Sequence, residues 1–290
     1  MTNTQSSSSP LTGQRILVVG AGSGIGKAAA QILVKDGARV WLAGRTTEPL
    51  QALCDELESA SAPPGGSVAW LRCDAHVAED VQAAVAEAAG EDGLDAVVTI
   101  PGGGNYCPIL GYDDDRFSAE VDNNVRPQYL VLKYAGLSMV KSGGGSIVAV
   151  SSTASILSSQ YLAAYCAGKA AVDQMVRVAA DELGRHGIRV NSVRPGLTET
   201  GATGFMFATE PVLQRFLEQQ PIARGGEAQD IGQVIRFLAG PESSWVTAQC
   251  ITTDGGHTLR RFPDCEDLAR GVVGEADFDA VQRGELRQLK

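Results

Sequence analysis

A chain of 290 residues with 44% hydrophobic and 20% charged residues holds enough material for one large α/β domain or two small ones, with a sizeable core. The formal net charge of −10 excludes the basic face that phosphate-backbone binding needs, so nucleic acid is not an expected partner. No apolar run approaches the ~20 residues of a membrane span, and the first residues carry neither a basic n-region nor an apolar h-region; a cytoplasmic protein with no membrane partner is the expectation.

Residues 1–13 are polar and Ser-rich and read as a disordered leader. Arg15–Val19 is a short β-branched apolar run, as expected of a strand buried on both faces. It enters Gly20-Ala-Gly-Ser23-Gly24-Ile25-Gly26 and then a helical pattern with apolar residues at 25, 28, 29, 32 and 33, for which Gly37 is a left-handed cap. Strand, glycine loop and helix N-terminus in that order form a pyrophosphate cradle, because missing Cβ atoms let the backbone approach and free N–H groups meet the anion. The spacing is G-x-x-x-G-x-G, and the bland alternative is a tight turn with surplus glycines.

A second strand covers 38–43 and leads into Gly44-Arg45-Thr46. A helix is expected over about 47–60, a loop over 61–67 and a third strand over 68–73, which ends at Asp74-Ala75. An Ala-rich helix near 78–89 precedes a fourth strand, Leu94 to Ile100, broken by Pro101-Gly102-Gly103-Gly104. Strands alternating with helices imply a parallel sheet with right-handed crossovers, hence a doubly wound α/β Rossmann fold of about seven strands with helices on both faces. Ligands in such sheets sit beyond the carboxyl ends of the strands, where Gly20–Gly26, Arg45, Asp74, Pro101–Gly104 and Ser152 all fall.

A long helix is expected from Asp113 to Lys141 with Asn123-Asn124 inside it; Gly143–Gly145 ends it, and Ile147–Val150 forms a fifth strand running into Ser151-Ser152. The next helix, which Gly184 is expected to stop, carries Tyr165 and Lys169 four residues apart, so a phenol and an ammonium share one face. A neighbouring cation favours the phenolate, and lowering the pKa from about 10 to near 7 takes roughly 4 kcal/mol. The resulting expectation is a tyrosine of depressed pKa, poised for carbonyl and alcohol chemistry. Cys166 points about 100° away from its neighbour and is not an expected nucleophile. The six cysteines form no C-x-x-C pair and do not interleave with the three histidines, so core thiols and no metal are expected.

A sixth strand, 188–193, runs into Arg194-Pro195-Gly196-Leu197-Thr198-Glu199-Thr200. Residues 201–220 are mixed, and Phe205-Met206-Phe207 is either a movable lid or a packed helix. A helix near 228–239 precedes a last strand, 249–253, and Asp254-Gly255-Gly256. The tail, 259–290, holds one candidate amphipathic helix near 276–288 and enough apolar residues to pack on the core or on a neighbouring subunit, though too few to fold alone.

Over residues 14–258 these motifs resemble the short-chain dehydrogenase/reductase family: Gly20-x-x-x-Gly24-x-Gly26, Asp74, Asn124, Ser152, Tyr165-x-x-x-Lys169, Asn191 to Gly196, Thr200 and Asp254-Gly-Gly256. The resemblance implies that Ser152 and Tyr165 bind the substrate oxygen and that Tyr165 passes the proton. It implies further that Lys169 holds the nicotinamide ribose and depresses the tyrosine pKa, and that Asn124 holds a water of the proton relay. By the same resemblance the dinucleotide meets Gly20, Ser23, Gly24, Ile25, Gly26, Arg45, Thr46, Asp74 (at the adenine), Ala75, Pro101, Gly102, Tyr165, Lys169, Pro195, Gly196, Thr198 and Thr200 (at the carboxamide). The implied reaction moves a hydride between nicotinamide C4 and a secondary alcohol or ketone, in a homotetramer or dimer. Leu157, Phe205 and Phe207 suggest an apolar substrate.

Two features depart from the family. Thr99-Ile100-Pro101-Gly102 stands where it usually has Asn-Asn-Ala-Gly, which removes the side-chain amides that brace that loop, and the tail exceeds the family core. A catalytically silent NAD(P)-binding regulator on the same fold is the competing function, and the full Ser152/Asn124/Tyr165/Lys169 set speaks against it. Reduction of an enoyl or imine bond differs mainly at the serine position, and Ser152 favours a carbonyl. An acidic residue at the end of the second strand would hold an NAD ribose, but Gly44 stands there, followed by Arg45; NADP(H) is therefore expected ahead of NAD(H), the alternative being an Arg45 that faces solvent or stacks on adenine.

Overall fold

In a computed structural model, residues 10–60 and 65–285 are described. The elements run β1 (Arg15–Val19), α1 (Gly24–Lys35), β2 (Arg39–Gly44), α2 (Thr47–Ser59), β3 (Ser67–Arg72), α3 (Ala78–Ala89), β4 (Ala96–Thr99), α4 (Asp114–Ser142), β5 (Gly145–Val150), α5 (Ala163–Leu183) and β6 (Ile188–Pro195). They continue with β7 (Thr198–Glu199), α6 (Gly204–Phe207), α7 (Glu210–Leu217), β8 (Gly226–Glu227), α8 (Ala228–Ala239), β9 (Cys250–Thr253), α9 (Glu266–Val273) and α10 (Glu275–Gln282). Seven strands form one parallel sheet in the order β3-β2-β1-β4-β5-β6-β9, the doubly wound fold expected. The order reverses between β1 and β4, and a cleft opens there at the carboxyl ends.

The continuous apolar strands follow from burial on both faces. Along β1, Ile16 and Val18 pack in one layer with α1, α2 and α8, through Leu33, Leu53 and Ile235; Leu17 and Val19 pack in the other with α3, α4 and α5, through Val85, Val131 and Val172. Helix α1 stops where Gly37 takes φ +89°, the conformation expected of it. The long α4 is capped by Asp113, whose carboxylate accepts the Arg116 N–H, and ends at the left-handed Gly143.

Two local expectations are corrected and one holds. Leu11, placed in the leader, is fully buried and fills the layer beneath α8, so ordered packing starts earlier than composition suggests; residues 1–9 lie outside the described residues. Gly184 ends α5 as expected, as its C-cap with right-handed backbone, and the chain goes on through a 3₁₀ turn to Gly187 at φ +71°. The tail forms two helices rather than one: Gly274 at φ +88° separates α9 from α10, and α10 ends before Gly284 at φ +82°. Leu286 and its successors lie outside the described residues.

The tail packs on its own chain. Phe278 is fully buried, with its ring 5.5 Å from that of Tyr161 and the Arg270 guanidinium 4.2 Å over it. Val281 joins Cys107, Tyr112 and Ala164, while Phe262, Cys265 and Leu268 close over Tyr106, Met206 and Phe216. A large buried apolar side chain contributes about 1.5–3 kcal/mol. Truncation after Leu259 should therefore lower the melting temperature by about 5 °C or more and raise KM for a substrate entering past Tyr106. Unchanged melting temperature, oligomer size and KM would make the tail a passive appendage.

Candidate active site

The cleft at the β1/β4 switch is about 270 Å³ and is lined by Val19, Gly20, Gly44, Arg45, Asp74, Ala75, Ile100, Pro101, Gly102 and neighbours. Gly20, the first residue of the glycine loop, lines it. A Cβ on Gly26 would lie 2.0 Å from the Gly20 carbonyl oxygen, so no other residue fits where α1 turns up against β1. Gly24, at φ +50°, lies against Thr200: its Cβ would be 3.0 Å from the threonine methyl. Ser23 caps α1 without using its side chain on the helix. The cradle, with the start of a 12-residue helix behind it whose first N–H groups take no side-chain bond from the N-cap, fits a dinucleotide pyrophosphate.

Arg45 and Thr46 are exposed at the rim, and Arg45 makes no hydrogen bond or ion pair among the described residues. Asp74 shapes the opposite wall: its carboxylate accepts the His76 N–H at 3.0 Å, while its own N–H donates to Asp80 at 2.9 Å. Pro195 closes β6, and Gly196 lies on Asp254, whose carboxylate accepts the N–H groups of Gly256 (2.9 Å) and Thr258 (2.7 Å). Thr198 departs from expectation, since its side chain is buried and donates to the Gly196 carbonyl at 3.0 Å rather than reaching the cleft. Thr203, which sequence reasoning did not single out, organises the segment: its hydroxyl accepts from Thr200 N at 3.0 Å, lies 3.0 Å from the Thr200 hydroxyl and bonds the Thr198 carbonyl. Ile25 is partly buried against the core layer under α1.

Ser152, Tyr165, Lys169 and Asn124 come together beyond β5. Ser152 caps a 3₁₀ turn, accepting the Ala154 N–H at 3.2 Å, and its side chain lies beside the Tyr165 phenol. Lys169 is buried, donates to the Val150 carbonyl at 2.9 Å and lies 5.7 Å from the centre of the Tyr165 ring. Ser151 is occupied elsewhere, on the Lys169 carbonyl at 3.3 Å. One turn beyond Lys169, Asp173 pairs with Arg194 (2.7 Å) and accepts the Ser192 hydroxyl (2.8 Å), tying α5 to β6. Burial pushes that carboxyl up, but the bonds from Arg194 and Ser192 outweigh it and hold it below its ordinary value.

The expected depression of the tyrosine pKa is not present in the chain alone. Burial pushes the Tyr165 phenol up, and the neighbouring Ser152 side chain only partly opposes it. Burial also moves Lys169 down to about 8, against the pull of Asp173. Sequence spacing supplies a cation beside the phenol but not the desolvation both groups suffer. The sign for Lys169 fixes a test. Its folded pKa of about 8 lies below its ordinary 10.5, so between those values the unfolded chain binds the extra proton and stability rises with pH. The melting temperature of the nucleotide-free protein, minus that of Lys169→Met, should rise across that window; a flat difference would contradict a buried, desolvated lysine.

Asn124 is fully buried and its amide is committed. Nδ2 donates to the Gly103 carbonyl (2.8 Å) and the Glu120 carbonyl (2.9 Å), and Oδ1 accepts the Gly103 N–H at 3.1 Å. Gln128, one turn on, donates to the Pro101 carbonyl at 2.8 Å. The loop that lacks the family's amides is thus braced from α4. The apolar residues nominated for substrate contact divide differently: Phe205 is half-exposed and Phe207 turns against Gly225, whereas Met206 packs in the cluster with Tyr106 and Leu197.

A parallel doubly wound sheet, a glycine cradle at its switch point and a Ser-Tyr-Lys cluster beside it define a nucleotide-dependent oxidoreductase. The chain belongs to the short-chain dehydrogenase/reductase family and is an NAD(P)-dependent oxidoreductase. A family sequence model described as enoyl-(acyl carrier protein) reductase matches residues 20–258. The chain is 36% identical over 256 residues to a 2,5-dichloro-2,5-cyclohexadiene-1,4-diol dehydrogenase of Sphingobium indicum, covering 86% of this chain and 99% of that one. Among solved structures it is similar to a short-chain type dehydrogenase/reductase from Mycobacterium ulcerans, with TM-score 0.88, 36% identity and coverage of 93% of this chain and 98% of that one. It is also similar to a 7α-hydroxysteroid dehydrogenase complexed with NADH and 7-oxo glycochenodeoxycholic acid, with TM-score 0.80, 30% identity and coverage of 86% and 96%. Among the described residues no helix is long and apolar enough to cross a membrane.

Proposed function

We propose that the protein interconverts a secondary alcohol and a ketone on an apolar substrate, with Tyr165 as the proton donor and acceptor and NADP(H) as the preferred cofactor. The carrying observation is the meeting of Ser152, the Tyr165 phenol and the Lys169 ammonium beyond the end of β5. Two hydroxyls meeting at one point can hold a carbonyl oxygen and give it a proton as negative charge develops there. When bound, the dinucleotide supplies the hydride. Gly20, Gly24 and Gly26 would hold its pyrophosphate, Asp74 and Ala75 its adenosine end, and Lys169 its nicotinamide ribose.

The Asn124 side chain positions the Gly103 backbone. Tyr106, Leu197, Met206, Phe262 and Leu268 pack in one apolar cluster, and Tyr106 stands two residues beyond Gly104, which lies on Tyr165. The diol and steroid relatives, both cyclic alcohols, support a ring-bearing apolar substrate. Ser152 supports a carbonyl over the enoyl chemistry in the family model's description. Cyclic apolar ketones and alcohols screened with each cofactor at the nicotinamide absorbance test the reading: turnover of one of them supports it, and nucleotide binding without any turnover would favour the silent regulator.

A further inference from the structure

The segment Pro101–Asn105 runs beside the face of α4 that carries Glu120, Asn124 and Gln128, and each of these side chains takes one backbone position of it. Gln128 Nε2 donates to the Pro101 carbonyl (2.8 Å), Asn124 exchanges two bonds with Gly103 (2.8 and 3.1 Å), and Glu120 accepts the Asn105 N–H (3.2 Å). The periods match: four helical residues rise about 6 Å, and two extended residues span about 6.6 Å. Odd-numbered residues are thereby held by α4, and the glycines between them meet the cluster on α5. A Cβ on Gly102 would lie 2.6 Å from Asn124 Oδ1 and 3.0 Å from Lys169 Nζ; one on Gly104 would lie 2.5 Å from Tyr165 Cβ. Backbone that close to both groups must be placed to within a few tenths of an ångström.

The loop's own side chains do not place it. Thr99, where the family usually has the first asparagine, has a buried hydroxyl with no partner among the described residues. Gln128 is also buried, and its Oε1 is unpartnered there too. An unsatisfied buried acceptor is costly, so packing alone does not account for a carboxamide at this site; its donor half on Pro101 does.

We propose that Gln128 is a positioning residue, which through the Pro101 carbonyl sets the glycine segment against Lys169 and Tyr165 and does from α4 what the family's asparagines do from the loop. The proposal rests on the reading of Tyr165 and Lys169 as the reaction centre. Gln128→Met keeps length and removes the orphaned acceptor but leaves the Pro101 carbonyl without its donor, so its melting temperature should change little. Hydrogen exchange of the Gly103 and Asn105 amides in the nucleotide-free variant should quicken about 3- to 10-fold, the scale of one lost hydrogen bond. The kcat should fall by a similar factor, with little change in substrate KM. Gln128→Glu keeps the shape but donates only when protonated, so its activity relative to wild type should recover as pH falls. Wild-type exchange and kcat in Gln128→Met, or a Gln128→Glu ratio flat with pH, would overturn the proposal. Should wild type itself turn over no alcohol or ketone, the reading of the centre fails, while the exchange rates still decide whether Gln128 holds the loop.

Discussion

Tyr165→Phe should lower kcat by about 10²–10⁴, the usual scale for losing a general acid or base, equivalent to about 3–5 kcal/mol of transition-state stabilisation. The substitution removes one oxygen from a site whose other parts are held independently. Lys169 stays on the Val150 carbonyl, Ser152 stays on the Ala154 N–H, and Asn124 keeps Gly103. The glycine cradle is remote from the change, so nucleotide affinity should move by less than about twofold, which is under 0.5 kcal/mol. Steady-state kinetics on the identified substrate, together with fluorescence titration of the nucleotide, separate the two effects. A phenylalanine variant with wild-type kcat would remove Tyr165 from the chemistry. A variant that loses nucleotide binding instead would mean that the hydroxyl serves to hold the nucleotide rather than to move a proton.

That expectation survives a correction to its basis. The i,i+4 placement of Tyr165 and Lys169 is legible because helical period alone sets it, but the balance between cation and desolvation depends on what covers α5. The same divide runs through the whole molecule. β1, the glycine loop and α1 were readable because strand, turn and helix are contiguous and each glycine has a local reason. The brace on Pro101–Asn105 was not, because a helix some twenty residues downstream supplies it through backbone groups, which leave no mark on residue type. Leu11 is likewise invisible among serines: one buried leucine sets no period, and its partners lie under α8. The two-helix tail escaped notice because Gly274 falls between two eight-residue segments, each too short for periodicity to resolve.

Cofactor choice should follow the rim of the cleft, with NADP(H) bound at least tenfold more tightly than NAD(H). No carboxylate stands at the end of β2, where Gly44 occupies the position of the acid that holds an NAD ribose. Arg45 follows, exposed on the cleft and without an ion-pair partner among the described residues, so its planar guanidinium is available to a 2′-phosphate. Thr46 precedes α2 as its N-cap and spends no side-chain bond on it, which leaves a hydroxyl donor beside a helix N-terminus of 13 residues. One charge-assisted hydrogen bond is worth about 1.5–3 kcal/mol, or roughly a 10- to 150-fold preference. The paired substitution Gly44→Asp/Arg45→Ile should reverse the order, by repelling the phosphate and removing its partner together. The backbone tolerates it, since a Cβ on Gly44 would meet Leu50 at 3.5 Å, an ordinary contact, with no left-handed strain. Titration of both reduced cofactors into wild type and the variant, at two salt concentrations, reads the preference and its electrostatic share. Equal or tighter NAD(H) binding by the wild-type protein would show that Arg45 faces solvent or stacks on the adenine instead of holding a phosphate.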